Sequence, residues 1–592
     1  MSEEEVFEDN KALWWSPDGG KLVYGVFNDS LVSSVTLPRY GSWHSKKLDG
    51  QGYPYFQYPV MQTIKYPKAG TTNPTVALWV ASLGPPGKEN PVRQERLSGP
   101  GSLQGAEHHF TSLAWRDNTS FSVVWMNRIQ NVSAVAQCEV HQTTSCAEVF
   151  NLPMRDGWVD YKFSLKHNQY RTGRRFLAIL PAGNMRFRYR QLYLVDGNSR
   201  TQLTRAESEV TEVVEWLGDD TVFYVGTGEK EPGSRHLYRL RVGQEGSECL
   251  TCSSSCQYVK VTFSPRGSFY SLDCRGPTVP ASSLHRTSDN SAVMTWSSNQ
   301  ALARVTKQKQ MPTIEYLRVP VPGSEQEAQV MIFLPPHFDK TKKLPLIVDV
   351  YGGPGFQKVD KQWHMYDYAA YMAGANNVLY AVIDPRGSGY QGDAWRHSVY
   401  RNFGSVEVED TISITKYLQA QLNYVDHTKT AIWGWSYGGF LSLSVLTRDT
   451  GNVFRCGASV APVVRWELYD TIYTERYMST PADNPAGYNS STPLWRVRNL
   501  KNKKYFLIHG THDDNVHYQH SMLLTRALEE KDIQFVQHSY PDENHGLGGV
   551  SRQIYIITFI LLIVILENVQ IPISRYGQLL GGLLPIGGTN KK

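Results

Sequence analysis

A β-propeller followed by a helix-covered parallel α/β domain is the fold class predicted for this 592-residue sequence. Three observations predict it. The first three hundred residues repeat one turn-plus-strand unit, and from about Ala301 near-continuous apolar strands alternate with helical patterns. Within that second half the string GWSYG at 434–438 follows a strand and opens a helix.

Five markers carry the repeat. Trp15-Ser16-Pro17-Asp18-Gly19, Trp115-Arg116-Asp117-Asn118, Phe163-Ser164, Trp216-Leu217-Gly218-Asp219 and Phe263-Ser264-Pro265-Arg266-Gly267 each join an apolar residue to a turn. A β-branched or aromatic run follows, as at 21–24 and 221–224. The intervals are 100, 48, 53 and 47 residues, which implies a unit of about fifty with one marker missed or replaced by an insertion. Several strands in such a period indicate propeller blades, with an irregular β-sandwich as the alternative. Residues 1–304 are assigned to this domain and residues 305–548 to the second. There, strands are expected at 345–350, 378–383, 430–435, 457–460, 505–508 and 535–539, and helices at 406–421 and 517–528. Residues 549–592 form a divergent tail whose run IYIITFILLIVIL at 554–566 is apolar, yet shorter than the roughly 20 residues of a membrane helix.

A length of 592 residues requires more than one core, and 60 basic against 55 acidic residues leave only +5, too mild to suggest a nucleic-acid partner. Met1-Ser2-Glu3-Glu4-Glu5 is acidic and does not read as a secretory leader. Six of the seven cysteines fall in short-range groups, Cys138 with Cys146, then Cys249, Cys252, Cys256 and Cys274. Such spacing can hold zinc or form disulfides; no histidine stands among the last four, which favours disulfides. Sequons at Asn28, Asn118, Asn131 and Asn489 fit a glycosylated, extracellular product.

The chemistry centres on Ser436. Gly434-Trp435-Ser436-Tyr437-Gly438 matches G-x-S-x-G in its strand-to-helix context, where glycines let a strained turn pass close to its neighbours. Asp513 follows the strand at 505–508, and His545 follows the strand at 535–539, in the chain order Ser, Asp, His. The expected roles are Ser436 as nucleophile, His545 as general base then acid, and Asp513 as the group orienting the imidazole. The oxyanion donors are the Tyr437 backbone N–H and the phenol of Tyr351, which ends the strand at 345–350. The α/β domain is thereby specified as an α/β-hydrolase domain.

Those motifs, together with HGTHDDNVH at 509–517, DENHG at 542–546, RGSGYQGD at 386–393 and VAPVVRWELYDTIYTERYM at 460–478, resemble the dipeptidyl peptidase IV branch of the prolyl oligopeptidase family of serine peptidases. The resemblance runs from residue 3 to about 546. It implies that Glu4 and Glu5 clamp the free α-amine of a peptide, two residues from the scissile bond, because paired carboxylates create a negative focus for one ammonium. It also implies a proline pocket walled by Tyr437, Val463, Trp466, Tyr469, Tyr473 and Val516, with Asn515 on the carbonyl of the first residue. Asp470 matches the dipeptidyl peptidase rather than the related fibroblast activation protein. Disulfides Cys138–Cys146, Cys249–Cys252 and Cys256–Cys274 carry over, while Cys456 matches a cysteine whose family partner lies in a C-terminal helix with no counterpart here.

The implied activity is release of N-terminal Xaa-Pro or Xaa-Ala dipeptides through an acyl-enzyme, with no metal or organic cofactor. Relatives act as homodimers at the plasma membrane or in secreted fluids. They carry an anchor and opening blades ahead of the glutamate motif; the propeller here is therefore expected to be incomplete, with roughly six blades against the family's eight. Two other classes are compatible with parts of the sequence. One is a catalytically impaired interaction or accessory protein, as in relatives that have lost the serine; the other is an esterase using the same elbow, for which an amine clamp has no purpose.

Overall fold

β-Branched and aromatic runs broken by Asp-Gly and Asn-containing turns build the first domain. In the computed structural model, which describes residues 11–41, 55–84, 92–160, 165–170, 173–184 and 188–548, these runs form antiparallel four-stranded sheets. The second sheet is typical, with strands His108–Trp115, Ser120–Asn127, Val132–Val140 and Thr144–Pro153 in sequence order. The repeat markers have a structural meaning. Trp15, Trp115, Trp216 and Phe263 each end the first strand of a blade, and the turn after each leads into the second. Asp18, Asp117 and Asp219 close those turns by accepting the N–H two residues on, at 3.0, 2.8 and 3.1 Å. Phe163-Ser164 lies outside the described residues.

Five blades stand among the described residues, the last two joined by one parallel bridge between Arg235 and Tyr258, and this is one fewer than the length suggested. The long first interval is a single blade, Leu13–Trp15, Lys21–Asn28, Thr75–Ser82 and Arg93–Leu97, interrupted by an inserted hairpin of Ser34–Gly41 and Tyr55–Lys65. The insertion supplied residues without supplying a blade. Aromatic side chains pack neighbouring blades together: Phe110, paired edge-on with Trp125 of its own blade at 5.6 Å, also lies edge-on to Trp14 of the preceding blade at 5.8 Å.

The second domain contains one eight-stranded sheet, named here β1 (Thr313–Pro320), β2 (Glu327–Leu334), β3 (Leu344–Val350), β4 (Leu379–Asp384), β5 (Val425–Trp435), β6 (Cys456–Val460), β7 (Lys504–Gly510) and β8 (Val536–Tyr540). Its order is β1-β2-β4-β3-β5-β6-β7-β8, antiparallel at β1–β2 and β2–β4 and parallel from β4 onward. Burial on both faces explains the continuous apolar runs. Leu346, Val348 and Val350 of β3 join one buried cluster, and Ile347 joins the cluster on the other face. The helices that matter for the site are α1 (Val406–Gln421), α2 (Tyr437–Arg448), α3 (Thr471–Met478) and α4 (Gln519–Glu529). The boundary expected at 304 falls inside a short linking helix, Gln300–Lys307.

Buried charge joins the two domains. Arg128 of the propeller forks onto Glu475 of α3 at 2.6 and 2.8 Å, and Gly70 N–H donates to the same carboxylate at 2.7 Å. Gln130 donates to the Ile472 carbonyl and accepts from Arg476, both at 2.7 Å. A second clasp lies in the loop after β3. The His364 ring bonds Asp360 at 2.8 Å and Asp367 at 3.1 Å, while neighbouring backbone groups bond propeller carbonyls at Gly233 and Arg275. Burial by itself lowers the His364 pKa, but the two carboxylates overcome it and raise the ring to about 9. A folded pKa above the unfolded value near 6.5 means that the contribution is complete below about pH 6.5 and is lost as pH rises through about 9. We expect His364→Gln to cost on the order of 2 kcal/mol at neutral pH and progressively less up to about pH 10, read from urea midpoints of both proteins. A constant difference across that range would refute the assignment.

Candidate active site

Ser436 stands between β5 and α2 with φ 61° and ψ −118°, a region that costs energy for any residue with a side chain. Its glycines permit the turn. A Cβ on Gly434 would sit 2.3 Å from the Gly438 carbonyl oxygen, and one on Gly438 would sit 2.2 Å from that of Val350. The Ser436 N–H donates to the Val460 carbonyl at 2.9 Å, which ties the turn to β6.

Asp513, at the carboxyl end of β7, is fully buried. Its Oδ1 accepts the backbone N–H groups of Asn515 at 3.0 Å and Val516 at 2.8 Å. Its Oδ2 faces two imidazoles, His545 Nδ1 at 2.7 Å and His509 Nε2 at 3.0 Å. Burial pushes this carboxyl up, but His545, His509 and these hydrogen bonds hold it well below the usual carboxylate range. Asp513 is therefore held in its anionic form. It receives the His545 Nδ1–H and leaves Nε2 as the basic nitrogen. Among the bonds that hold the loop carrying His545 are Trp435 Nε1 on the His545 carbonyl at 3.2 Å and Thr511 Oγ1, which accepts Asp542 N–H at 3.0 Å.

Ser436 and His545 open onto one cavity of about 350 Å³, lined also by Tyr351, Tyr437, Val463, Trp466, Tyr469, Tyr473 and Asn515. The Tyr469 phenol donates to Asn515 Oδ1 at 2.6 Å, which sets the orientation of that amide. Asp470 is buried and caps α3 by accepting the Tyr473 N–H at 2.9 Å. The expected residues thus converge, with two exceptions. Val516 lies behind the wall, its backbone engaged by Asp513 and by His509 at 2.8 Å. Glu4 and Glu5 lie outside the described residues, as does the apolar tail.

The structure adds groups that the sequence did not single out. His509 supports Asp513 from below and bonds Ser521 Oγ at 2.7 Å through its other nitrogen. The inserted propeller hairpin reaches the catalytic loops: Tyr40 and Gly41 donate N–H to Asp542 at 2.7 and 2.6 Å, and Gln62 bonds His512 at 3.0 Å. Only the first of these left a trace, the histidine four residues before Asp513; pairings across 450 to 500 residues leave none.

The six paired cysteines form Cys138–Cys146, Cys249–Cys252 and Cys256–Cys274, and Cys456 is a buried free thiol. Folding brings His236 beside Cys249 and Cys252, the sole potential metal-binding trio among the described residues, but those two sulfurs are bonded to each other. Asn28, Asn118 and Asn489 are exposed and Asn131 is half-buried.

A hydroxyl on a strained elbow, sharing one cavity with an imidazole backed by a buried carboxylate, defines a serine hydrolase of the α/β type, here carrying a propeller. The comparisons with known proteins narrow the class. The model of the prolyl oligopeptidase family matches residues 363–561, and that of the dipeptidyl peptidase IV N-terminal region matches residues 1–281. A venom dipeptidyl peptidase 4 from Vespa velutina is 36% identical over 93% of this chain and 70% of its own length. Dipeptidyl peptidase 4 from Felis catus is 36% identical over 93% and 72%. The crystal structure of Porphyromonas gingivalis dipeptidyl peptidase 4 superposes with a TM-score of 0.83 at 28% identity, covering 95% of this chain and 75% of that one. The chain belongs to the dipeptidyl peptidase IV branch of the prolyl oligopeptidase family.

Proposed function

We propose that this protein is a serine-type dipeptidyl peptidase that releases N-terminal Xaa-Pro, and more slowly Xaa-Ala, dipeptides from peptides. The observation that carries this reading is the meeting of Ser436, His545 and a 350 Å³ aromatic cavity at one point. Flat rings and a branched wall suit a pyrrolidine and offer little to long polar side chains. His545 Nε2 takes the Ser436 proton as Oγ bonds to the carbonyl carbon after proline. The Tyr437 N–H and the Tyr351 phenol receive the oxyanion, and the imidazolium returns its proton to the departing amine as the C–N bond breaks. Water then repeats the sequence on the acyl-enzyme and frees the dipeptide.

Glu4 and Glu5 supply the exopeptidase ruler by pairing with the substrate's α-ammonium. Asn515 holds the first carbonyl. The catalytic unit spans residues 305–548, with residues 1–304 as propeller and 549–592 as a separate tail. Extracellular or membrane-surface location fits the three disulfides and the venom relatives. Among the described residues no helix is long and apolar enough to cross a membrane. A homodimer is part of the same reading.

A Gly-Pro chromogenic substrate and its N-acetylated form test the assignment. Acetylation removes the ammonium and is expected to reduce kcat/KM by about a hundredfold or more, since it leaves two carboxylates unpaired. Equal turnover of the two forms would contradict the amine clamp and point to an esterase or endopeptidase.

A further inference from the structure

Glu407 is a carboxyl with no exposure to solvent, in the first turn of α1, and the chemistry above does not use it. Its Oε1 accepts the Tyr437 phenol at 3.1 Å and the Gly404 N–H, and its Oε2 accepts the Ser405 N–H at 3.0 Å. One side chain therefore holds two separate parts of the site. The first is Tyr437, whose ring lines the cavity and whose backbone adjoins the nucleophile. The second is the loop before α1, which carries Phe403. The Phe403 ring wedges edge-on against Tyr437 at 5.2 Å and lies 4.7 Å from Trp466. Trp466 in turn stacks on Tyr473 at 6.0 Å.

Such a group is expensive to keep. A buried carboxyl without hydrogen bonds is costly, and burial pushes this one up to about 7 against the pull of its three partners. The nearby charges, Arg386 and Asp410, bond each other through the guanidinium Nε and one Nη and make no hydrogen bond to Glu407, which Arg386 feels only through space. Helix propensity does not require a carboxylate here either, because Glu409 lies in the same first turn.

We propose that Glu407 is a positioning and specificity-determining residue. By tethering the Tyr437 phenol and the Phe403 loop to one carboxyl, it keeps the aromatic layer beneath the cavity rigid, so that a flat five-membered ring fits closely and Ser436 keeps its oxyanion donor. The proposal rests on the dipeptidyl peptidase reading for its substrate preference, but not for its effect on the serine. Proline fills the cavity and depends on every wall; alanine leaves most of it empty. Loosening the floor therefore penalises proline more.

The test is a double-mutant cycle with Glu407→Leu, Tyr437→Phe and the pair, with Glu407→Gln as the conservative variant. Two quantities are read: the ratio of kcat/KM for Gly-Pro over Gly-Ala substrates, and the rate of Ser436 labelling by a fluorophosphonate, which needs no peptide. Each single variant is expected to lower the ratio by about tenfold and to slow labelling. The double variant should be no worse than the worse single one, because both changes cut the same link. Glu407→Gln, which retains an acceptor for the phenol, should recover part of the loss. Equal losses on proline and alanine, or losses that multiply in the double variant, would show Glu407 to be structural packing only and overturn the proposal. A wild type that is labelled yet releases no dipeptide would defeat the exopeptidase reading instead, and the labelling cycle would still decide this one.

Discussion

Ser436→Ala is expected to abolish fluorophosphonate labelling and to lower Gly-Pro turnover by about six orders of magnitude. The removed oxygen is the atom that forms the acyl bond, and no neighbour supplies another hydroxyl in its place. The other hydroxyls on the cavity wall are phenols, and those of Tyr437 and Tyr469 are committed to Glu407 and Asn515. What little rate survives comes from the oxyanion donors and from substrate positioning. Alanine retains the Cβ and the positive φ of the turn, so the melting temperature should move by no more than a few degrees. Labelling that persists in the folded variant would place the nucleophile elsewhere.

Asp513→Asn should cost about four orders of magnitude in kcat, with KM much less affected. The size follows from which way the amide must face. The N–H groups of Asn515 and Val516 both point at Oδ1, so the asparagine oxygen has to occupy that position. Its NH₂ then stands where Oδ2 was, against His545 Nδ1 and His509 Nε2. A donor there stabilises the His545 tautomer that carries its proton on Nε2, which is the nitrogen that must accept the Ser436 proton. His509 feels the same change: if it reversed its bond with Ser521 Oγ to accept from the amide, a bare Nε2 would face the Val516 carbonyl at 2.8 Å, so some loss of stability accompanies the loss of rate. Single-turnover kinetics on Gly-Pro, with the melting temperature as control, separates this outcome from unfolding. Activity within tenfold of the wild type would remove Asp513 from the mechanism.

Much of the architecture was legible because it is local. Helix 406–421 was read to both ends, since charged and β-branched residues alternate at helical spacing between a Gly-Ser start and the Asn-Tyr turn that follows. Strand β6 was bounded to within a residue by its flanking turn. The elbow glycines were visible for a different reason: only hydrogen fits where Gly438 meets the Val350 carbonyl, and the motif preserves that spacing. The blade count was not legible. An interval of 100 residues looks the same whether it contains a lost marker or a hairpin that pairs with itself outside the blade. Helix α4 begins two residues later than the pattern suggested, at Gln519, just after the turn in which the Val516 backbone engages Asp513 and His509.

Residue order alone was enough to establish a propeller, an α/β-hydrolase sheet and the sequence of nucleophile, acid and base, since turn chemistry, side-chain periodicity and strand-end motifs act over a few neighbours. Folding in three dimensions settled the rest: the placement of β4 between β2 and β3, the reach of a propeller hairpin to Asp542, and the burial of Glu407 against Tyr437. Those pairings join groups 30 to 502 residues apart, and their energy comes from removing water around charges and rings that meet only once the chain has closed on itself.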